Sequence, residues 1–271
     1  MTKRLPALAA LMLLIAGGCA LQPTPWSNAS SHLAPTGTLR VALLDANAVH
    51  VIRDPASGEM KGISHDLGKA LAGRLNVPFA PLLYPTIAGM LDAGRSGYWD
   101  VAFVGVTAER RAFLDFTGEH LEVDYGYLVP SGSKISDIRE LDRAGVRLAV
   151  VETSSPDAFL SRTLKSASLV RAAALSGAIE LLRAGKADAV AGLKPNMHAV
   201  SAILPGSRVL AGRLGAEGAA LAIPKGRPPA ALAAARHFVE EAKKGLVQQA
   251  IDRAGVPGVV VAPADATVAG F

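Results

Sequence analysis

From Thr38 to Ala254 the chain alternates short apolar runs with stretches of helical spacing, and this alternation confines it to an α/β architecture. Leu39–Leu44 (LRVALL), Phe79–Tyr84, Trp99–Gly105 (WDVAFVG) and Tyr125–Val129 read as strands. Between them, Ile63–Leu75 places Leu67, Ala70, Leu71 and Leu75 on one helical face, and Ile87–Ala93 predicts a short helix. A second series predicts helices over Ile135–Arg143, Ala158–Leu164 and Ala178–Ala184. Its strands are Val146–Val151, Leu169–Ala173 and Ala187–Gly192. Arg208–Ala211 and Ala219–Ile223 add strands, and Ala230–Lys244 and Val247–Ala254 the last helices. Such βαβ order builds parallel sheets covered by helices. One doubly wound sheet satisfies it, but two shorter series parted near Val129 fit two lobes better.

Half of the 271 residues are hydrophobic and only 5% aromatic, so the core is built mainly of Ala, Val, Leu and Ile. The formal charge of +5 includes Lys3 and Arg4; without them it is +3. Basic residues are scattered without aromatic interleaving, which argues against nucleic acid as a partner. One cysteine, Cys19, allows neither an internal disulfide nor a cysteine-rich metal site.

The position of that cysteine is more informative. Residues 1–18 carry a basic start, an apolar run from Leu5 to Ile15, and small residues Ala16, Gly17 and Gly18 directly before Cys19. This is the layout of a secretory signal, with an apolar run short for a membrane span. The segment resembles the bacterial lipoprotein signal, in which the cysteine is lipid-modified after cleavage. Ala16 stands where such signals favour Leu. Residues 19–37, rich in Pro, Ser, Thr and Gly, read as a flexible tether.

The chain shows no P-loop, GxSxG, HExxH or GxGxxG pattern, and its six histidines are isolated. No catalytic constellation, metal site or cofactor is expected. The run WDVAFVGVTAERRAFLDFT instead places Asp100, Gly105, Thr107, Arg110, Asp115, Phe116 and Thr117 in an order that resembles the amino-acid-type (family 3) extracytoplasmic solute-binding proteins of ABC transporters. The GTLRVAL opening, Gly62, Asp66-Leu67 and Gly185–Val190 (GKADAV) extend the resemblance over about residues 38–256. It implies a periplasmic-binding-protein-like type II fold: two α/β lobes, a two-crossing hinge and an interlobe cleft. Lobe 1 is expected over 38–127 plus 218–271 and lobe 2 over 128–217, with crossings near Tyr125–Val129 and Glu217–Ile223.

The resemblance also implies a ligand site. Arg110 would hold a ligand carboxylate through its planar fork of donors. Gly105 and Thr107 flank it; Thr107 would add a hydroxyl or serve a turn. Thr153, Ser154 and Ser155 precede a helix, where free N–H groups favour an anion or the side chains simply cap. Asn47 lines the pocket's start or makes a turn, and Lys194 faces the cleft or solvent. Two positions depart from the family pattern. Leu193 stands where amino-acid binders place an acidic partner for the ligand ammonium, and Glu119-His120 replaces Pro-Tyr. Either Glu119, Glu152 or Asp157 substitutes, or the ligand lacks an amine; the balance favours a small organic acid or atypical amino-acid derivative. The expected function is capture of a small carboxylate-bearing solute by a monomeric protein, lipid-anchored outside the cytoplasmic membrane and serving an ABC permease. A cyclohexadienyl dehydratase-like enzyme or a ligand-sensing lipoprotein are the alternatives.

Overall fold

A computed structural model describes residues 26, 28–45, 47–54 and 56–263. The leader, Cys19 and the tether as far as residue 25 lie outside the described residues, as do residues 264–271. In chain order the first part comprises α1 (Ala29–Leu33), β1 (Leu39–Leu44), a hairpin of β2 (Ile52–Arg53) and β3 (Met60–Lys61), α2 (Ile63–Leu75), β4 (Phe79–Tyr84), α3 (Ile87–Arg95), β5 (Val101–Gly105) and α4 (Ala108–Arg111). The long β6 (Leu114–Val129) leads to β7 (Arg147–Val151), α5 (Ser155–Thr163), β8 (Ser168–Ala172), α6 (Leu175–Arg183), β9 (Ala189–Leu193), α7 (Lys194–Ile203) and β10 (Arg208–Val209). The chain returns through β11 (Ala216–Pro224) and ends in α8 (Pro229–Lys243), α9 (Leu246–Ala254) and β12 (Val259–Val261).

Two sheets share β6. In the first, β4, β1 and β5 are parallel, and β11 joins β5 to β6 antiparallel. In the second, β6 pairs with β9, followed by parallel β7 and β8. The change of sheet falls at one peptide: Asp124 still pairs with Ala216, whereas Tyr125 pairs with Leu193. The return crossing occupies residues 210–215, where Leu210 and Tyr125 N–H groups bond to Tyr127 and Gly215 carbonyls. Glu217–Ile223, expected as that crossing, already lies within the first sheet as part of β11. This is the type II periplasmic-binding-protein architecture: two α/β halves joined by two crossings, with a cleft between them.

The elements follow from local chemistry. Helix α2 buries Ile63, Leu67, Leu71 and Leu75, one per turn, and stops at Asn76 in the left-handed conformation (φ 53°). Gly62 before it has φ 149°, and a Cβ there would lie 2.6 Å from the His50 carbonyl oxygen, so only glycine fits. Every residue of β5 is buried, as befits an interior strand covered on both faces. Helix α8 turns small residues Ala231, Ala234, Ala235 and Ala242 inward with Phe238 and Val239, and packs against β6.

Three expectations change. Residues 29–34 are not tether: Ala29, Leu33 and Ala34 are buried, α1 packs on α8, and Arg227 donates to the His32 carbonyl. Trp26 packs edge-on to His237 with the Arg74 guanidinium over its ring, which gives this apolar segment a reason to dock. Ile135–Arg143 forms only one 3₁₀ turn, Ile138–Glu140, because the capping box of Asp137 and Glu140 satisfies a tight turn instead of a longer helix. Tyr125–Val129 is only the end of a 16-residue strand.

The halves share one device. The Arg40 backbone N–H and Nε both donate to Asp100 Oδ2 at 3.0 Å, while the Asp100 N–H returns to the Arg40 carbonyl. Arg147 and Asp188 repeat this pattern at 2.8 and 3.1 Å. Each aspartate thus ties the start of one strand to the first strand of its half. Asp100 also accepts from Arg227 at 2.7 Å, and its side chain is 0% exposed against 34% for Asp188. Asp100→Ala, which strands two guanidinium groups, is expected to cost about 3–5 kcal/mol in urea denaturation. Asp188→Ala, at a solvated pair, is expected to cost about 1 kcal/mol or less. Equal losses would contradict this assignment.

Candidate ligand-binding cleft

A cavity opens between the halves, where the C-terminal ends of β1, β5, β7 and β9 meet the N-terminal ends of α3, α5, α6 and α7. Strand ends and helix N-termini converge there because parallel βα units place them at the same edge. Its wall is largely aliphatic, with Leu44, Ile87, Met90, Val104, Val151 and Leu193 among the contributors. The charged side chains in that lining are Asp45, Arg110 and Glu217; Asn47, Thr86, Ser154, Ser155 and Asn196 add neutral polar groups.

Arg110 is 4% exposed and spans the two halves. Nη1 donates to the Gly105 carbonyl at 2.7 Å, and Nη2 donates to the Thr153 carbonyl across the cleft at 3.0 Å. Nη1 also lies 3.4 Å from Ser155 Oγ, while Nε has no hydrogen-bond partner. Burial lowers the Arg110 pKa, and the charge of Glu217 opposes that shift. Thr153 offers its carbonyl from a left-handed backbone (φ 59°), a costly conformation for a β-branched residue. Its N–H donates to Asp157 Oδ2, so the peptide groups on both sides of Thr153 are tied down.

The other expected site residues divide. Gly105, Arg110, Asn47, Ser154 and Ser155 line the cavity. Asn47 also makes a turn, its Oδ1 accepting from the Val49 N–H at 3.0 Å. Ser154 caps α5: its Oγ accepts from Asp157 and donates to the Val151 carbonyl. Thr107 stands outside the lining and caps α4, its Oγ1 accepting from the Arg110 N–H. Lys194 is a correction. Its side chain runs along Gly258 and pairs with Asp124 at 3.4 Å rather than entering the cavity. Asn196, two residues later, enters instead and accepts from the Ala48 N–H at 2.8 Å, a second bond between the halves.

Among the carboxylates weighed as replacements for the acidic residue missing at Leu193, Asp157 is taken up by Arg171 and the Thr153 N–H. Glu119 and Glu152 are outside the cavity lining. Sequence reading missed two carboxylates of the lining, Asp45 at the end of β1 and Glu217 on the returning strand. Ser155 hydrogen-bonds Glu217, and burial still holds its pKa above the usual carboxylate range, with Arg110 pulling the other way. Ala219 pairs with Gly105, so Glu217, two residues earlier on the same face, projects over Gly105. A Cβ at Gly105 would meet Glu217 Oε2 and Ser155 Oγ, each at 2.5 Å. The motif glycine therefore provides the seat for this carboxylate.

Residues 39–252 match the bacterial extracellular solute-binding proteins, family 3. The chain belongs to this family. A curated relative, the ABC transporter glutamine-binding protein GlnH of Bacillus subtilis (strain 168), is 26% identical over 144 residues, covering 51% of this chain and 52% of the relative. The match thus spans about half the length of that relative. The fold is shared with the ancestral amino acid-binding protein AncCDT-1, described as a precursor of cyclohexadienyl dehydratase. The TM-score is 0.67 and the identity 24%, over 81% of this chain and 95% of that one. It is also shared with a solute receptor for L-cysteine of Neisseria gonorrhoeae, with a TM-score of 0.70 and 24% identity over 83% and 92% of the two chains.

In this family 3 chain two histidines lie beside the cleft. His50 lines it, its Nδ1 accepting from the Leu44 N–H at 3.1 Å, which leaves the ring proton on Nε2. His120 packs edge-on to Phe103 in the core, and neither ring nitrogen has a well-formed hydrogen bond. Burial lowers both pKa values to about 3, with Arg110 adding to the effect at His50 and Lys243 at His120; an imperfect approach to the Ala219 backbone offsets the His120 shift only slightly. Their folded pKa values lie below the unfolded value near 6.5, so the unfolded chain binds more protons between pH 6.5 and 3. Stability is full above about pH 6.5 and falls with acidification, by up to about 1.4 kcal/mol per pH unit for each histidine. His120→Leu removes a buried group without a good partner. It is expected to keep or raise stability at pH 7 and to reduce the acid slope by about one proton. Denaturation at pH 7, 6 and 5 measures both, and an unchanged slope would contradict the assignment.

Proposed function

We propose that this protein captures a small carboxylate-bearing solute of the amino-acid class outside the cytoplasmic membrane and presents it to an ABC-type permease. The observation that carries the reading is Arg110, buried between the halves and bonded to backbone carbonyls of both. A ligand carboxylate that reaches this guanidinium exchanges neutral carbonyl partners for a charged one, a stronger hydrogen bond in a poorly hydrated cleft. We assign lobe 1 to 38–127 plus 218–271 and lobe 2 to 128–217, closing about the two crossings as a monomer. The ligand names attached to the relatives, glutamine and L-cysteine, support the amino-acid class.

Mass spectrometry of ligand released from protein purified without denaturant identifies the solute. Against it, Arg110→Ala is expected to lose about 2–5 kcal/mol of binding by calorimetry, the scale for truncating one member of a buried charged pair. Arg110→Lys keeps the charge but not the fork, and is expected to be impaired too. Equal affinity in all three proteins would reject the Arg110 clamp. Scattering with saturating ligand is expected to show compaction, and its absence would reject closure.

The anchoring proposal rests on Cys19 after its apolar leader. Cys19→Ser is expected to release the protein from membranes, because the acylation site is gone. The membrane fraction would stay unchanged if Cys19 bore no lipid.

Glu217 supports a second reading, an enzyme on this fold. A carboxyl with a raised pKa in an apolar cleft suits proton donation. Turnover of prephenate or arogenate separates that reading from binding alone.

A further inference from the structure

We infer that Glu217 is the specificity-determining residue of the cleft and selects ligands that carry a cationic amine next to an aliphatic body. This deepens the solute-binding reading and rests on it. It reverses the preference for amine-free acids that Leu193 suggests, because it places the negative charge on a different element.

The argument begins with charge. Among the described residues three charged side chains line the cavity, Asp45, Arg110 and Glu217, and His50 is neutral at physiological pH. The lining thus holds two carboxyl groups and one guanidinium. The guanidinium already donates to two backbone carbonyls and acts on Glu217 through space, while the Ser155 hydroxyl hydrogen-bonds that carboxylate. A ligand monoanion can gain from Arg110 but gives Glu217 no counter-charge. A ligand with an ammonium group gives Glu217 a buried counter-charge and lifts part of its desolvation penalty.

Position supports the same conclusion. Glu217 reaches the cavity from the returning strand, beside the crossing, so its carboxylate stands where both halves meet. Ser155, at the first turn of α5, reaches it from the second half, and Gly105 leaves room for it in the first. A carboxylate held from both sides is a fixed charge, and fixed charge gives discrimination without reorganisation. The remaining wall is uncharged and largely aliphatic, including Leu193 itself, which suits an uncharged side chain. The chemical class is thus a small amine or α-amino acid with an aliphatic side chain.

The experiment uses the mature chain and matched probes: L-alanine, L-valine, L-leucine, L-methionine and the remaining standard L-amino acids, each against the carboxylic acid that lacks its amine. Calorimetry on wild type is expected to favour the amine-bearing member of the best pair by on the order of 100-fold. Glu217→Gln, which keeps shape and a hydrogen bond to Ser155, is expected to lose at least about 30-fold on that member. It is expected to bind the des-amino acid as well as or better than wild type. Glu217→Asp keeps the charge and is expected to retain part of the preference. If Glu217→Gln is unfolded at the assay temperature, Gly105→Ala carries the comparison, because its methyl displaces the carboxylate from its seat. Unchanged preference in the variants, or a wild-type preference for des-amino acids, overturns the inference and leaves solute binding standing. Binding of no member of any pair by wild type overturns the amino-acid class itself and the inference with it.

Discussion

The antiparallel pairing of β6 with β11 is the constraint on which the rest of the structure depends. Strand β6 serves two sheets, and β11 is the return path that lies along it. Backbone hydrogen bonds satisfy one another along both crossings, so the chain passes between the halves without exposing a buried polar ladder. Everything at the cleft is hung from this pair. Gly105 is placed by its pairing with Ala219, Glu217 by its place two residues earlier, and Arg110 by the turn that follows β5.

From that frame, the electrostatics of the cleft follow. Burial works against its two most enclosed charges: it pushes Arg110 down and Glu217 up. Neither group is abandoned. Arg110 takes two backbone carbonyls and Glu217 takes a serine hydroxyl, so each has neutral partners that a charged ligand group can outcompete. This is how a binding protein stays folded without ligand and still gains from binding it. Fully paired charges would leave the ligand nothing to improve, and unpaired ones would destabilise the chain. The strained peptide at Thr153 belongs to the same arrangement, since its carbonyl is one of the two that Arg110 reaches from the opposite half.

Much of this was legible in residue patterns, and the failures have causes. Interior strands such as β1 and β5 are continuous apolar runs, and α2 and α8 repeat their buried residues at helical spacing; burial and periodicity coincide there. Strand β6 hid its first eleven residues because Glu119, Glu122 and Asp124 interrupt the apolar pattern, although β11 pairs along them. Helix α7 begins at Lys194-Pro195-Asn196, which reads as a turn until a helix start is granted to the proline. Residues 29–34 looked like tether because Ser, Pro and Thr surround the few apolar side chains that dock. At the cleft, Arg110 and Gly105 were legible through a motif, whereas Lys194 pairs with Asp124, a partner that the local sequence does not show. Glu217 carried no local signal at all. It sits in a run of Gly and Ala, and its importance comes from strand register with Gly105, 112 residues earlier, which only the folded chain brings together.

The two aspartate–arginine ties suggest why the halves are unequal partners. Each fixes a first strand to the strand whose end feeds the cleft, so each sets where one wall of the cavity stands. In the first half a second guanidinium, Arg227, closes over Asp100 and excludes solvent, and the same Arg227 grips α1 through His32. The N-terminal segment, the aspartate tie and β5 are therefore one connected unit. In the second half Asp188 stands with a single arginine at the surface, where water screens the pair. The first half is built as the rigid wall that carries Arg110 and Gly105, with Glu217 on the strand beside them. The second half contributes the Thr153 carbonyl, the Ser155 hydroxyl and Asn196, neutral hydrogen-bonding groups that reach across to the first half.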